Sequence, residues 1–330
     1  MPSNVLNVLD FEKPIAELDE QIDQIKRLTE EEGTDRSSEI AVLEQERDKL
    51  LEQIFGNLSP WDKTLLARHQ RRPYALDYAR LIFDDYFELH GDRVFADDHA
   101  MVGGMALLDG KPVMFVGQQK GRDLRDRQYR NFGSAKPEGY RKALRLMRLA
   151  EKFGRPIICL VDTPAADCSV GAEERGISEA IARNLMEIFT VKVPIIVAIL
   201  GEGGSGGALG IGVGDRIMML EYSIYSVIPP EGCAAILWRD PAKGPDAAAA
   251  LKITSRDALE LGVVDEVIDE PLGGAHRNVE VTARNLKEAI VRNVKQVSRL
   301  STSKLLEARY EKFRNMGKFE VAQAEEEATL

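Results

Sequence analysis

Cysteine is scarce: Cys159, Cys168 and Cys233 form no C-x-x-C pair and leave an odd total. That argues against a disulfide framework or a zinc site, and for reduced thiols in a cytosolic compartment. Histidine is nearly as rare. His69, His90, His99 and His276 contain no H-E-x-x-H spacing, so no metal is expected to be held by this chain alone. Positive charge is outweighed, with 44 Lys and Arg against 54 Asp and Glu for a net charge of -10. No overall drive toward nucleic acid or an anionic membrane follows from that balance. Long apolar runs are missing too. The longest clean one, Ile195–Leu200, falls far short of a membrane span, and Met1–Asp10 has neither the charged start nor the apolar stretch of a secretory signal. The expectation is a cytoplasmic protein with no membrane or nucleic-acid partner.

The 330 residues that are present suffice for one large core with appendages. Residues 1–59 form their own block, an N-terminal helical hairpin. Ile15, Leu18, Ile22, Ile25 and Leu28 repeat at helical spacing, Gly33-Thr34 interrupts, and Ile40, Leu43, Leu50, Leu51 and Ile54 resume the stripe. This arm reads as a packing or oligomer-forming device without chemistry.

From Pro60 strands alternate with helices, the mark of a layered α/β core, here residues 60–272. Helices are expected at Ala75–Leu89, Pro137–Phe153 and Ala172–Phe189. Strands are expected at Met101–Leu108 and Pro112–Gln118, joined by the hairpin signal Asp109-Gly110, and at Ile157–Val161, Ile195–Leu200, Ile217–Leu220, Ser223–Ile228 and Val263–Ile268. Residues 273–330 return to helix over Val279–Phe313 and end in an acidic tail, Ala322–Leu330.

The segment Gly201-Glu-Gly-Gly-Ser-Gly-Gly207 follows a buried strand and opens a helix. Glycines leave no side chain between backbone and ligand, and the first amides of a helix have no internal acceptor. Such a turn receives anions. Gly201-x-Gly203-x-x-Gly206 also fits a dinucleotide fingerprint, but too few residues precede the next strand for the expected helix. A phosphate loop is excluded because no Gly-Lys-Ser/Thr follows. Gly203-Gly-Ser205-Gly-Gly207 fits a nucleophile elbow, for which His276 is the one histidine downstream. A backbone oxyanion hole needs a second turn, and Asp162-Thr-Pro164 after Ile157–Val161 offers one. On the residues alone, close packing, a Ser205-dependent hydrolase and an oxyanion hole all stay open.

Asp162-Thr-Pro164, Gly171-Ala-Glu-Glu-Arg-Gly176, Gly201–Ala208 and Pro230-Glu-Gly-Cys-Ala234 resemble the alpha subunit family of bacterial acetyl-CoA carboxylase carboxyltransferase. Gln119-Lys-Gly-Arg122, Asn131-Phe-Gly133, Pro137–Ala143 and Glu270–Asn278 extend the resemblance over nearly the whole chain. It implies a crotonase-like spiral of ββα units with the helical hairpin before it and helices after it. It implies an α2β2 assembly with a beta subunit carrying a zinc ribbon and most of the acetyl-CoA site, alongside biotin carboxylase and a biotin carboxyl carrier protein. The implied reaction moves the carboxyl group of carboxybiotin to acetyl-CoA, giving malonyl-CoA, the first committed step of fatty acid synthesis. Released CO2 would leave a biotin enolate that takes the methyl proton of acetyl-CoA, so no protein base is required. Backbone amides of Gly206 and Gly207, with Ala165 and Ala166 opposite, are the implied catalytic donors, each contributing about 3–4 kcal/mol. Gly203, Gly204 and Ser205 would line the substrate. Lys120, Arg122 and Arg130, in a stretch shared with Arg125 and Arg127, would meet CoA phosphates or an acidic carrier face. Arg141, Arg145 and Arg148 read as surface, and Tyr140 and Cys233 as packing.

The family's usual Asp-Thr-Pro-Gly-Ala-Tyr-Pro-Gly is Asp162-Thr-Pro-Ala165-Ala-Asp167-Cys168-Ser169 here. If the replaced glycines held positive φ, Ala165 and Ser169 would each be strained by about 1–2 kcal/mol. Asp167 would set a carboxylate where an anion forms. Gln118 stands for histidine and Gly210 for alanine. Reduced turnover, down to a non-catalytic pseudo-subunit, is the expectation at this turn.

Overall fold

The computed structural model describes residues 8–317, so the acidic tail lies outside it. The N-terminal stripe folds as two helices, α1 (Lys13–Glu32) and α2 (Ser37–Phe55), with Gly33 at φ 67 ending the first. Two short helices follow, α3 (Pro60–Ala67) and α4 (Ala75–Ile82). Here the expected helix to Leu89 is corrected. α4 stops at Ile82, and Asp85–Glu88 form β1, paired antiparallel with β2 (Met101–Leu108). β2 turns into β3 (Lys111–Gln118) through Asp109 and Gly110, both at positive φ as that hairpin requires.

The remaining elements supply the layered core. They are α5 (Leu124–Tyr129), α6 (Pro137–Lys152), β4 (Ile157–Thr163), α7 (Val170–Glu174), α8 (Ile177–Ile188) and β5 (Ile195–Gly204). Then come α9 (Ser205–Gly212), β6 (Arg216–Leu220), β7 (Ile224–Ser226), α10 (Pro230–Trp238), α11 (Gly244–Ala250), α12 (Ser255–Glu260) and β8 (Glu266–Ile268). α13 (Val279–Val297) and α14 (Thr302–Arg314) close the chain. The single helix expected over 172–189 is two, because Gly176 sits at φ 77 between α7 and α8.

The sheet runs β1-β2-β3-β4-β5-β6-β8, antiparallel up to β3 and parallel beyond, with β7 added beside the far end of β5. Its central strands are buried on both faces. Ile157, Cys159 and Val161 of β4 and Ile195, Val197 and Ile199 of β5 face one core with α6, α8 and α9. Ile158, Leu160, Ile196, Ala198 and Leu200 face the other, with α4, α13 and α14. Arg309 of α14 is fully buried. It pairs with Asp215 at 2.8 Å and donates to the carbonyls of Ile188, Val191 and Val193, which fastens the last helix beneath the strand starts. The opposite, C-terminal ends of β4 and β5 therefore stay open on a rigid support.

Candidate active site

The glycine segment is half strand. β5 continues through Gly204, with Glu202, Gly203 and Gly204 paired to Ile224, Tyr225 and Ser226 of β7, so the turn itself begins at Ser205, held at φ 49. α9 starts there without a side-chain cap. Its first amides, those of Gly206 and Gly207 among them, have no intrahelical acceptor.

The turn after β4 lies directly against it. A Cβ on Gly204 would come within 2.0 Å of the Pro164 carbonyl oxygen, and one on Gly207 within 2.6 Å of the Ala166 nitrogen. Backbone meets backbone, which only glycine permits. At Gly206 the nearest atom would be the Ile181 side chain at 3.6 Å, an ordinary contact. Ala165, Ala166, Gly206 and Gly207 are thus brought together, in a cradle half exposed from Pro164 to Asp167 and from Gly204 to Gly206.

Buried polar groups hold the cradle from below. Gln118 donates to the Gly207 carbonyl at 2.7 Å and accepts the Asp162 amide at 3.2 Å, joining the end of β4 to the first turn of α9. Tyr140, expected only to pack, also donates its hydroxyl to the Gly207 carbonyl, at 3.2 Å. Burial raises its pKa, so it stays a donor. Asn184 of α8 donates to the carbonyls of Tyr140 and Gly210, each at 2.9 Å. An alanine at Gly210 would put its Cβ 2.4 Å from the Tyr140 ring, so glycine there matches the tyrosine's seat.

Beneath the strand ends lies a charge network. Lys120 pairs with Asp162 at 2.9 Å and Glu202 at 2.7 Å, and Arg68 joins Glu202 at 2.7 Å to Glu231 at 2.6 Å. Burial opposes the Lys120 ammonium, but the Asp162 and Glu202 carboxylates outweigh it and raise its pKa. Glu202 is held below its ordinary value, Lys120 and Arg68 overcoming its burial. Arg122 is tied to Asp77 and to the Gln70 and Arg72 carbonyls, and Arg130 to Asp126 and the His99 carbonyl. The three basic residues expected to bind substrate are therefore all internally paired. Among the described residues, Arg125 and Arg127 are the cations of that stretch with no ion pair.

The family model for acetyl co-enzyme A carboxylase carboxyltransferase-like proteins matches residues 8–317. The acetyl-coenzyme A carboxylase carboxyl transferase subunit alpha of Geobacter metallireducens is 58% identical over 94% of this chain and 98% of its own length. That of Hydrogenovibrio crunogenus is 53% identical over 96% and 99%. The chain belongs to this carboxyltransferase family. Its fold is similar to that of the transcarboxylase 12S core, at a TM-score of 0.53 and 20% identity over 77% of this chain and 44% of that one. A Pseudomonas malonate decarboxylase hetero-tetramer chain gives 0.53 at 17% identity, over 64% of this chain and 84% of its own. The fold is the expected crotonase-like one.

Against the family pattern, the altered turn proves unstrained. Neither Ala165 nor Ser169 has positive φ, and Ser169 caps α7 at φ -70, accepting the Ala172 amide. Asp167 spends its carboxylate on the amide and hydroxyl of Ser169, both at 3.0 Å. The strain expected at this carboxyltransferase turn is absent.

His276 is buried, not in an open polar loop, and its Nε2 faces Glu12 at 2.9 Å. Its ring lies against that of His69, centroids 4.0 Å apart and planes tilted by 31°. It is thus committed elsewhere, and the Ser205 triad has no base from that histidine. Glu12, His69 and His276 bring ligand atoms within 4.8 Å of one another. The Arg71 amide lies 3.2 Å from Nδ1 of His69, and its Nε2 lies 3.9 Å from Glu12. The Glu12 carboxylate is thus bonded to His276 and only near His69. Arg141, Arg145 and Arg148, read as surface, are pins: Arg141 pairs with Asp92 at 2.8 Å, Arg145 donates to the Gly91 carbonyl at 3.0 Å, and Arg148 pairs with Glu151 at 2.8 Å and with Glu187. No helix among the described residues is long and apolar enough to cross a membrane.

Proposed function

We propose that this chain is the alpha subunit of an acetyl-CoA carboxylase carboxyltransferase, transferring the carboxyl group of carboxybiotin to acetyl-CoA with a beta subunit present. The observation that carries the reading is the backbone cradle, in which Gly207 is pressed against Ala165 and Ala166 at the uncapped start of α9. Carboxybiotin, borne by a carrier protein, arrives as a substrate and supplies both the carboxyl group and a ureido nitrogen able to take a proton. The chain's own part is electrostatic. Amides of Gly206 and Gly207 face the charge that develops on an oxygen held in the cradle, with the Ala165–Ala166 backbone opposite. Gln118 and Tyr140 both hold the Gly207 carbonyl, one peptide on from the Gly207 amide, which steadies the first turn of α9. Gly203, Gly204 and Ser205 form the wall between cradle and β7. Lys120 acts through Asp162 and Glu202, holding the strand ends in register.

Partners of this reading are the beta subunit in an α2β2 assembly, which supplies the zinc and the acetyl-CoA half, the biotin carboxyl carrier protein and biotin carboxylase, in the cytoplasm. The arm at 1–59, the core at 60–272 and the helices from 273 are its three parts. The test is co-purification with a carboxyltransferase beta subunit, followed by carboxyl transfer from malonyl-CoA to biocytin. Transfer is expected, Ser205→Ala should leave it largely intact, and a serine-directed phosphonate should not label the chain. Absence of transfer with the partner bound would sink the reading. Since the turn at 165–169 is unstrained, Ala165→Gly should not raise kcat, and a large gain would restore the case for an impaired turn.

A further inference from the structure

Three consecutive residues beside the cradle, Asn131, Phe132 and Gly133, take left-handed backbone, at φ 44, 56 and 84. Glycine does so freely, and Asn131 is supported by its side-chain bond to the Ser134 carbonyl at 2.8 Å. Phe132 has no such excuse. A bulky residue at positive φ is a true outlier, and such outliers persist where the surroundings over-determine them, often at ligand sites. Core packing does not explain it, because Phe132 is 45% exposed and belongs to none of the hydrophobic clusters of the described residues.

What holds the segment is the site. The Gly133 carbonyl accepts the Thr163 hydroxyl at 2.8 Å, and the Ala135 carbonyl accepts the Asp167 amide at 3.0 Å. The stretch 133–135 is therefore laced to the cradle's second turn, and Phe132 rides on it. Above the Phe132 ring, at 5.5 Å, sits the Arg127 guanidinium, one of the two cations of its stretch without an ion pair. A part-exposed ring beside a guanidinium without an ion pair suits a flat ring with a negatively charged group attached.

We propose that Phe132 and Arg127 form a subsite for a planar ring that carries a negatively charged group beside it, on one of the two substrates. The inference rests on the carboxyltransferase reading, in which two groups share that chemistry: the carboxylated ureido ring of biotin and the adenine nucleotide end of the CoA thioester. Phe132 supplies the stacking face and Arg127 the counter-charge. Neither takes part in bond-making.

The test uses the full chain in complex with its beta subunit, assayed from malonyl-CoA to biocytin. Phe132→Gly keeps the left-handed backbone and removes only the ring. KM for one substrate should rise about fivefold or more while kcat changes little, and Phe132→Trp should restore it. Arg127→Ala should raise the same KM where that substrate is malonyl-CoA, and should instead lower kcat about fivefold or more where it is biocytin, whose ring gains its charge only on carboxylation. A rise for biocytin assigns the subsite to the ureido ring. A rise for malonyl-CoA but not for malonyl-pantetheine assigns it to the nucleotide end. Unchanged KM values in an active complex overturn this inference alone, as does a loss that gel filtration traces to dissociation of the beta subunit. An unaltered complex that transfers nothing overturns the carboxyltransferase reading, and this inference with it.

Discussion

At the scale of single residues, the glycines of the cradle divide by the space around them. Gly207 has none, since its Cβ would lie 2.5 Å from the Ala165 carbonyl carbon. Gly207→Ala must push the two turns apart, at a cost of about 1–3 kcal/mol of stability. It should also lower kcat by about 100-fold or more, because the amide leaves the position where charge develops. Gly206→Ala, whose Cβ would rest against Ile181, should melt close to the parent protein. Thermal melts and transfer assays on the two variants check this, and equal behaviour would contradict the close approach at Gly207. The glycines were visible in the sequence as a class. Their separate duties were not, because the difference lies in Pro164, Ala165 and Ile181, which only the fold brings near.

At the scale of elements, the end of β4 and the first turn of α9 are tied together by Gln118, which satisfies the Gly207 carbonyl and the Asp162 amide at once. Gln118→Met keeps the volume and removes both bonds, leaving a buried amide without its acceptor at a cost of about 1–3 kcal/mol. Its kcat should fall while KM for both substrates stays near the parent value. Combined with Tyr140→Phe, which removes the second donor to the same carbonyl, the losses should be non-additive. Strictly additive losses would mean that the two donors act apart. Nothing at position 118 distinguished this role in the sequence, where the residue closes a strand pattern.

Elements were legible where a period ran unbroken, as in α6, β4 and β5. They were not where tertiary pairing overrode it. Ala79, Ile82, Phe83 and Tyr86 keep helical spacing past Ile82, yet Tyr86 and Phe87 pair with Ala106 and Met105 as an edge strand. Gly201–Gly204 read as turn because glycine weakens strands, but β4 and β7 on either side keep them extended.

At the scale of the molecule, one buried carboxylate joins the N-terminal arm to the core, beside the packing of Ile15, Leu51 and Phe55 on Leu66 and Tyr222. Glu12 precedes α1, His69 follows α3 and His276 precedes α13, so a contact across 264 residues was invisible to any local pattern. Burial works against the Glu12 charge. The hydrogen bond and charge of His276, the Leu9 amide and the charge of His69 outweigh it and hold its pKa below the ordinary 4.5. A carboxyl group depressed in the folded state contributes stability above its unfolded pKa, and loses it as pH falls through the folded value. The contribution of Glu12 should therefore be full at neutral pH and fade below about pH 4.5. Glu12→Gln should melt lower than the parent at pH 7, by up to a few degrees for each kcal/mol removed. As pH falls through the folded value the two curves should converge, since both then carry a neutral group at that position. A gap that persists undiminished into acid would mean that the arm is held by the packing of Ile15, Leu51 and Phe55 rather than by charge. Fluorescence of Trp61, in the first turn of α3, read in a Trp238→Phe background, offers a second probe, and coincident transitions would show that arm and core unfold together.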